Sequence, residues 1–307
     1  MKKLSILTLI LLISVAGTAQ KAELQLNLEV GKTYIQEMDM ASTINQNVGG
    51  QAMEILMNTN AITNFKVLET VEKGYKMEIS YAKMAMSMGL PQGRVEFSSE
   101  NPGEGDVFSS IFSSIIDKTF EALITPLGRV ENISGLDQLW DDMIENVDEL
   151  PEAQKKQMKM QIKNMYGEKA MKGSMESGMA IYPEKPVKKG EQWIIASTIE
   201  TGMVALSTAT FTYVGKEGEL ARIEGIAEIS TEDAQAYSEV NGMEMRFELE
   251  GKATSSYLVD RKSGWVMKAE HVQEIEGSSF LKESPQIPDG MEVPIKIKNK
   301  LVIKGAQ

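Results

Sequence analysis

Cysteine is absent from the 307 residues, and histidine occurs once, as His271. Without cysteine the chain forms no disulfide, builds no thiolate metal site and offers no sulfur for an N-terminal lipid anchor. One histidine leaves too few ligands for a histidine-based zinc site. No serine stands in a nucleophile-elbow pattern, so a Ser-His-Asp triad has no motif behind it. Catalytic residues, metal ligands and cofactors are therefore all expected to be none. Long apolar runs are scarce. The one such run, Leu4 to Val15, is broken by Ser5, Thr8 and Ser14, and nothing later approaches the roughly 20 residues of a transmembrane helix. A basic block is missing too. With 44 acidic against 32 basic residues the formal charge is −12, which repels nucleic acid and anionic membrane surfaces and favours solubility.

What is present begins with an export signal. Lys2 and Lys3 precede the apolar run, and Gly17-Thr18-Ala19 sets small residues where a signal peptidase reads them. Residues 1–19 read as a signal peptide cleaved after Ala19. The mature chain, 20–307, then carries a charge of −14 once the two lysines are gone, and does not span the membrane. It is expected outside the cytoplasm, in the periplasm or at the cell surface.

Period-two alternation dominates that mature chain. Met243, Met245, Phe247 and Leu249 alternate with Glu244, Arg246, Glu248 and Glu250, and Ile295, Ile297, Leu301 and Ile303 with lysines at 296, 298, 300 and 304. Leu24, Leu26, Leu28 and Val30 repeat the pattern at the start. Such runs read as strands with one buried face, and sheets of that kind are normally antiparallel. Glycine-bearing turns separate them at Glu72-Lys73-Gly74, Pro126-Leu127-Gly128, Lys216-Glu217-Gly218 and Asp260 to Gly264. Pro294 marks the final strand as an edge protected by its lysines.

Two stretches look like copies of one unit. Gly31-Lys32-Thr33-Tyr34 and Gly190-Glu191-Gln192-Trp193 each open a strand, followed by a strand holding Phe65 or Phe211, a charged glycine turn and a third strand. Helical periodicity lies between. Phe108, Ile111, Phe112, Ile115, Ile116 and Phe120 share one face behind Asp106 as N-cap, and Leu136, Leu139, Trp140, Met143, Ile144 and Val147 share another. Pro151 starts a third helix running to Tyr166, and glycines make 167–181 a loose helix or loop. The expected fold is mainly β (α+β): one domain with a large curved antiparallel sheet from two related halves and helices packed on its apolar face. It divides into a β half 20–135, a helical segment 136–181 and a β half 182–307.

Several residues invite a chemical reading. His271 shares a strand face with Trp265, Met267 and Ala269, as a partly buried, hydrogen-bonded histidine would. Asp137, Asp141, Glu145 and Asp148 stack opposite an apolar helix stripe as a solvated face, although paired carboxylates in a cleft would serve a glycosidase. The stretch from Glu100 to Asp106 is acidic but lacks the alternating ligands of a calcium loop. Methionine stands out, with 21 residues. Thioethers bind Cu(I), fill cores, or line adaptable apolar binding surfaces. The last option assigns an apolar ligand to Met77, Met84, Met86, Met88, Met243, Met245, Phe247 and Met267.

Three stretches carry a resemblance: Gly31-Lys32-Thr33-Tyr34, Gly128-Arg129-Val130 leading to Ile133-Ser134-Gly135-Leu136, and Pro183 to Trp193. Together they resemble an uncharacterised family of exported β-rich bacterial proteins, over nearly the whole mature chain. The resemblance brings no function and no catalytic residue. A curved sheet with helices across its concavity is also similar, by fold alone, to periplasmic lipoprotein carriers. The expected function is non-enzymatic binding or carriage of an apolar, lipid-like ligand. The alternative is a structural or protein-interaction domain with a methionine-filled core, and a carboxylate hydrolase comes third.

Overall fold

Alternation becomes strand over most of the chain. The computed structural model describes residues 21–90, 93–100, 107–145, 147, 151–200, 204–240, 243–285 and 287–307. The signal segment, Asp106 as a cap, the 101–106 loop, Asp148 and the side chain of Phe108 lie outside the described residues. Before the helices come β1 (Thr33–Val48), β2 (Gln51–Val71), β3 (Gly74–Leu90) and β4 (Gly93–Ser98). Then follow α1 (Val107–Ile115), β5 (Thr119–Ile124), β6 (Val130–Ser134), α2 (Leu136–Glu145), α3 (Glu152–Tyr166) and α4 (Glu168–Met179). The remainder is β7 (Gln192–Glu200), β8 (Val204–Glu217), β9 (Leu220–Thr231), β10 (Ser238–Val240), β11 (Met243–Asp260), β12 (Val266–Leu281) and β13 (Met291–Ala306). Among the described residues the strands form one open, antiparallel, 13-stranded sheet in the order β6-β5-β3-β2-β1-β13-β12-β11-β9-β8-β7, with β4 on β3 and β10 on β11.

The two copies are visible in the hydrogen bonds. Tyr34 stands opposite Phe65, and Trp193 opposite Phe211. Gly31 donates to Val67 O and Val67 to Lys32 O; likewise Gly190 donates to Tyr213 O and Tyr213 to Glu191 O. Each second strand then slips register just after that residue, between Val67 and Glu69 and between Tyr213 and Gly215. A shared bulge at matching positions re-aims both strands in the same way.

The sheet is a trough. Laid flat, eleven strands in sequence would hold the outermost two roughly 48 Å apart, at about 4.8 Å per spacing. Yet α4, about 18 Å long at 1.5 Å per residue, packs against both β6 and β7, the outermost strands. Its Gly178 also faces Ile303 of β13, at the middle of the sheet. Only a strongly curled sheet meets all three conditions. Residues Ile111, Phe112, Ile115, Leu136, Trp140, Ile144, Ile162, Met175 and Met179 fill one end of the concavity, against Phe65, Met77, Tyr257, Trp265 and Ile303.

Four local expectations change. Leu24, Leu26 and Leu28 are buried and Val30 is exposed, but this segment joins no strand of the sheet. Its alternation reports one-sided burial of an extended chain, which bonds to Pro126 O and Ser263 O instead. Phe120 belongs to β5, not to the preceding helix, because Asp117 takes a positive φ and ends the turn. Residues 168–179 form a regular helix despite their glycines, since Gly178 lets the helix approach Ile303. Finally, β13 is central, between β1 and β12. Pro294 is tolerated there because pairing with β1 stops at Ile295, leaving Pro294 a neighbour on one side only. The lysines are rungs of cross-strand ion pairs, Lys296–Glu276 at 3.1 Å and Lys298–Glu274 at 2.9 Å.

Candidate functional site

Strand register assigns every side chain to a face. Among the described residues the concave side of β1, β2, β13, β12, β11, β9 and β7 carries no Asp, Glu, Lys or Arg, and β8 carries one, Lys216, opposite Ala221 beyond the bulge at the far end of the strand. The other charges of those strands stand on the convex side. Away from Lys216 the concave face is uncharged, and His271 is the titratable group besides tyrosine that the described residues place within it.

Helices cover only part of that face. Beyond them lies a second apolar cluster, Ala205, Ile229, Leu249 and Ile275 with Phe247, Ala253 and Ile297, built from strand residues alone. Register explains its continuity. Ile55 stands opposite Ile44, Ile44 opposite Ile297, and Ile297 opposite Ile275. Gly251 then intervenes before Ile229. A Cβ on Gly251 would lie 2.8 Å from Ile275 Cγ1, so glycine there gives the isoleucine its room. The result is an isoleucine row running across β2, β1, β13, β12 and β9. Within it Ile229 and Ile275 are buried, and Ile44, Ile55 and Ile297 are half-buried.

One row nearer the helices, Ser42, Asn299 and Gln273 stand side by side. Asn299 Nδ2 donates to Gln273 Oε1 at 2.6 Å. In the next row is His271, opposite Leu301. The Tyr257 hydroxyl lies 2.5 Å from its Nε2 and 3.3 Å from Ser177 O of α4. Burial lowers the His271 pKa from 6.5 to about 4 and raises that of Tyr257, so both are neutral near pH 7.

The methionines expected to hold a ligand share the concave face but separate into distinct places. Met77 and Met84 are buried in the helix-covered core, with Met267 packed against it. Met86 points its sulfur at the Tyr166 hydroxyl, which donates at 3.4 Å. Met88 stands opposite Met57. Phe247 joins the strand-only cluster, Met245 stands opposite Leu281, and Met243 is exposed at the start of β11. The isoleucine and amide rows were not singled out from sequence. Their signal in the sequence, Ile295 and Ile297 alternating with lysine, specifies a strand and not its neighbours.

The acidic helix face is partnered, not merely solvated. Lys163 meets Asp141 at 2.6 Å and Lys159 meets Glu145 at 2.5 Å, joining α3 to α2. Asp137 accepts from the Glu168 N–H at 2.8 Å. These carboxylates are spent on helix–helix contacts and do not converge on a cleft. Among the described residues no group of three or more acidic or histidine side chains could hold a metal, and no helix is long and apolar enough to cross a membrane. A 480 Å³ groove lies mainly on the convex side, near Asp39, Arg94 and Glu96. A 610 Å³ cleft sits where β6 and α4 meet β7 and β8, lined by Arg129, Lys172 and Glu176. Both mix charge with apolar surface, unlike the isoleucine row.

A family model described as a family of unknown function (DUF6263) matches residues 72–266. The chain belongs to that family. The matched stretch includes the Gly128 hairpin and the Pro183 to Trp193 segment, and the family carries no assigned function. No curated protein matches the chain. Among solved structures the fold is similar to that of lipovitellin, in a structure titled for its lipid–protein interactions. The TM-score is 0.52 and identity 10%, over 92% of this chain and 26% of that one. This chain thus spans about a quarter of the lipovitellin chain. A DUF1329 family protein from Desulfovibrio piger aligns at 10% identity over 91% of this chain and 85% of its own, with a TM-score of 0.15.

Proposed function

We propose that the protein is an exported, non-enzymatic carrier that holds an apolar, lipid-like molecule on the uncovered part of its concave face. One observation carries this reading: a continuous aliphatic row, free of charged side chains, on which no helix of the described residues packs. Apolar surface left in water costs about 25 cal/mol per Å², and an acyl chain would relieve that cost. The likeness to lipovitellin supports the same direction at the level of fold. Export rests on the first nineteen residues. Binding in place of catalysis is supported by His271, whose Nε2 is engaged by Tyr257, and by carboxylates paired with lysines. Met77 and Met84 serve the core, so the proposed contact surface is the isoleucine row with Met57, Met88 and Phe247.

Titration of the mature chain with N-phenyl-1-naphthylamine tests this. Saturable binding in the micromolar range is expected. Ile297→Glu should weaken it at least about tenfold by placing an unpaired charge against the guest, while Val272→Glu on the convex side should leave it unchanged. Linear, non-saturating fluorescence, or equal affinity in the Ile297→Glu protein, would contradict the proposal.

A further inference from the structure

The isoleucine row is bordered by a row of different chemistry. Ser42 is buried, and Asn299 and Gln273 are half-buried beside it, between Ile44, Ile297 and Ile275 and the helix-covered core. The bond from Asn299 Nδ2 to Gln273 Oε1 uses one donor and one acceptor. It leaves Asn299 Oδ1 to accept and Gln273 Nε2 to donate, and neither makes a hydrogen bond within the described residues. Turning both amides end for end reverses the bond yet leaves the same pair of functions, one donor and one acceptor. A hydroxyl group answers both, since it donates and accepts at once.

The same surroundings select against charge. No counter-ion stands on the concave side of β1, β13, β12 or β11, the strands that carry and flank the amide row. A carboxylate brought there would lose its water shell, at a cost of several kcal/mol, with nothing to pair it. A hydroxyl loses far less, because the two amides replace its water contacts. Resting on the carrier reading above, we infer that the guest is a neutral amphiphile with a hydroxyl-bearing head, such as a monoacylglycerol or a long-chain alcohol. Its head lies against Asn299 and Gln273 and its chain along the isoleucine row. An ionised fatty acid is the excluded class.

Displacement of N-phenyl-1-naphthylamine from the mature chain by monolaurin and by laurate at pH 8, where laurate is ionised, separates the two. Both have twelve-carbon acyl chains, so the head alone differs. Monolaurin is expected to displace the probe at a concentration at least about tenfold lower. In the Asn299→Leu/Gln273→Leu protein that advantage should disappear, each competitor being measured against that protein's own probe affinity. Gln273→Met, nearly isosteric, gives the same comparison if the double variant does not fold. Equal or better competition by laurate overturns the inference and leaves the carrier reading standing, as does an unchanged monolaurin preference in both variants. Absence of saturable probe binding overturns the reading beneath it as well.

Discussion

At His271, desolvation decides the protonation state. Its imidazole has little water and a tyrosine hydroxyl 2.5 Å away, so the proton is held less tightly in the folded chain, with a pKa of about 4 against 6.5. Between those values the unfolded chain binds the extra proton and the folded chain does not. Stability from this group is therefore full above about pH 6.5 and is lost as pH falls toward 4, by roughly 3 kcal/mol at 1.36 kcal/mol per unit. His271→Gln should cost about 1–2 kcal/mol at pH 7. That deficit should shrink and then reverse as pH drops from 7 to 4, because only the wild type loses the histidine's contribution. Urea denaturation at pH 7, 5.5 and 4 measures this, and parallel losses in the two proteins would contradict it. Sequence showed that this histidine shares a strand face with apolar residues and so is partly buried. It did not show Tyr257 as partner, because that contact joins neighbouring strands and depends on their register.

Among the elements, α4 is the piece that sequence described least well and that organises the trough most. Glycines at 173 and 178 argued for a loose segment, since each costs about 1 kcal/mol against alanine in a helix. Packing overrides that cost: Met175, Gly178 and Met179 are buried, the Val130 N–H donates to Glu176 Oε1 at 2.9 Å, and Tyr257 reaches Ser177 O. The contact is closest at Gly128, where φ is +78° and a Cβ would lie 1.9 Å from Met179 O. Gly128→Ala should destabilise the protein by more than about 2 kcal/mol, through backbone strain and displacement of α4. Gly173→Ala, with nothing within 4 Å, should be neutral or stabilising by up to about 1 kcal/mol. Thermal unfolding of both variants checks the pair, and a harmless Gly128→Ala would remove the hairpin–helix contact from this account.

For the whole molecule, local pattern revealed strands, turns, the first three helices and the two related halves, while strand order stayed hidden. The lysines of the last strand illustrate why. Read along the chain they look like protection for an exposed edge; paired across the sheet they meet Glu276, Glu274 and Glu37 on a central strand. Likewise Ile44, Ile55, Ile229, Ile275 and Ile297 are scattered through the sequence and become one row only through pairing over long separations. Methionine abundance drew attention to the concave face, on which all eight expected contact residues lie. It did not separate the helix-covered core, where Met77 and Met84 sit, from the strand-only cluster beyond. What unites the molecule is the division of charge between the two sides of one sheet: a convex face of ion pairs and a concave face without them.

Native mass spectrometry of the protein purified from its own host, under conditions that retain non-covalent ligands, tests the central claim most directly. The account predicts a chain beginning at Gln20 that carries one or more neutral lipid-sized masses, released on activation and absent from an Ile297→Glu protein prepared in parallel. A chain that flies bare in every preparation, with the Ile297→Glu protein indistinguishable from wild type, would contradict it.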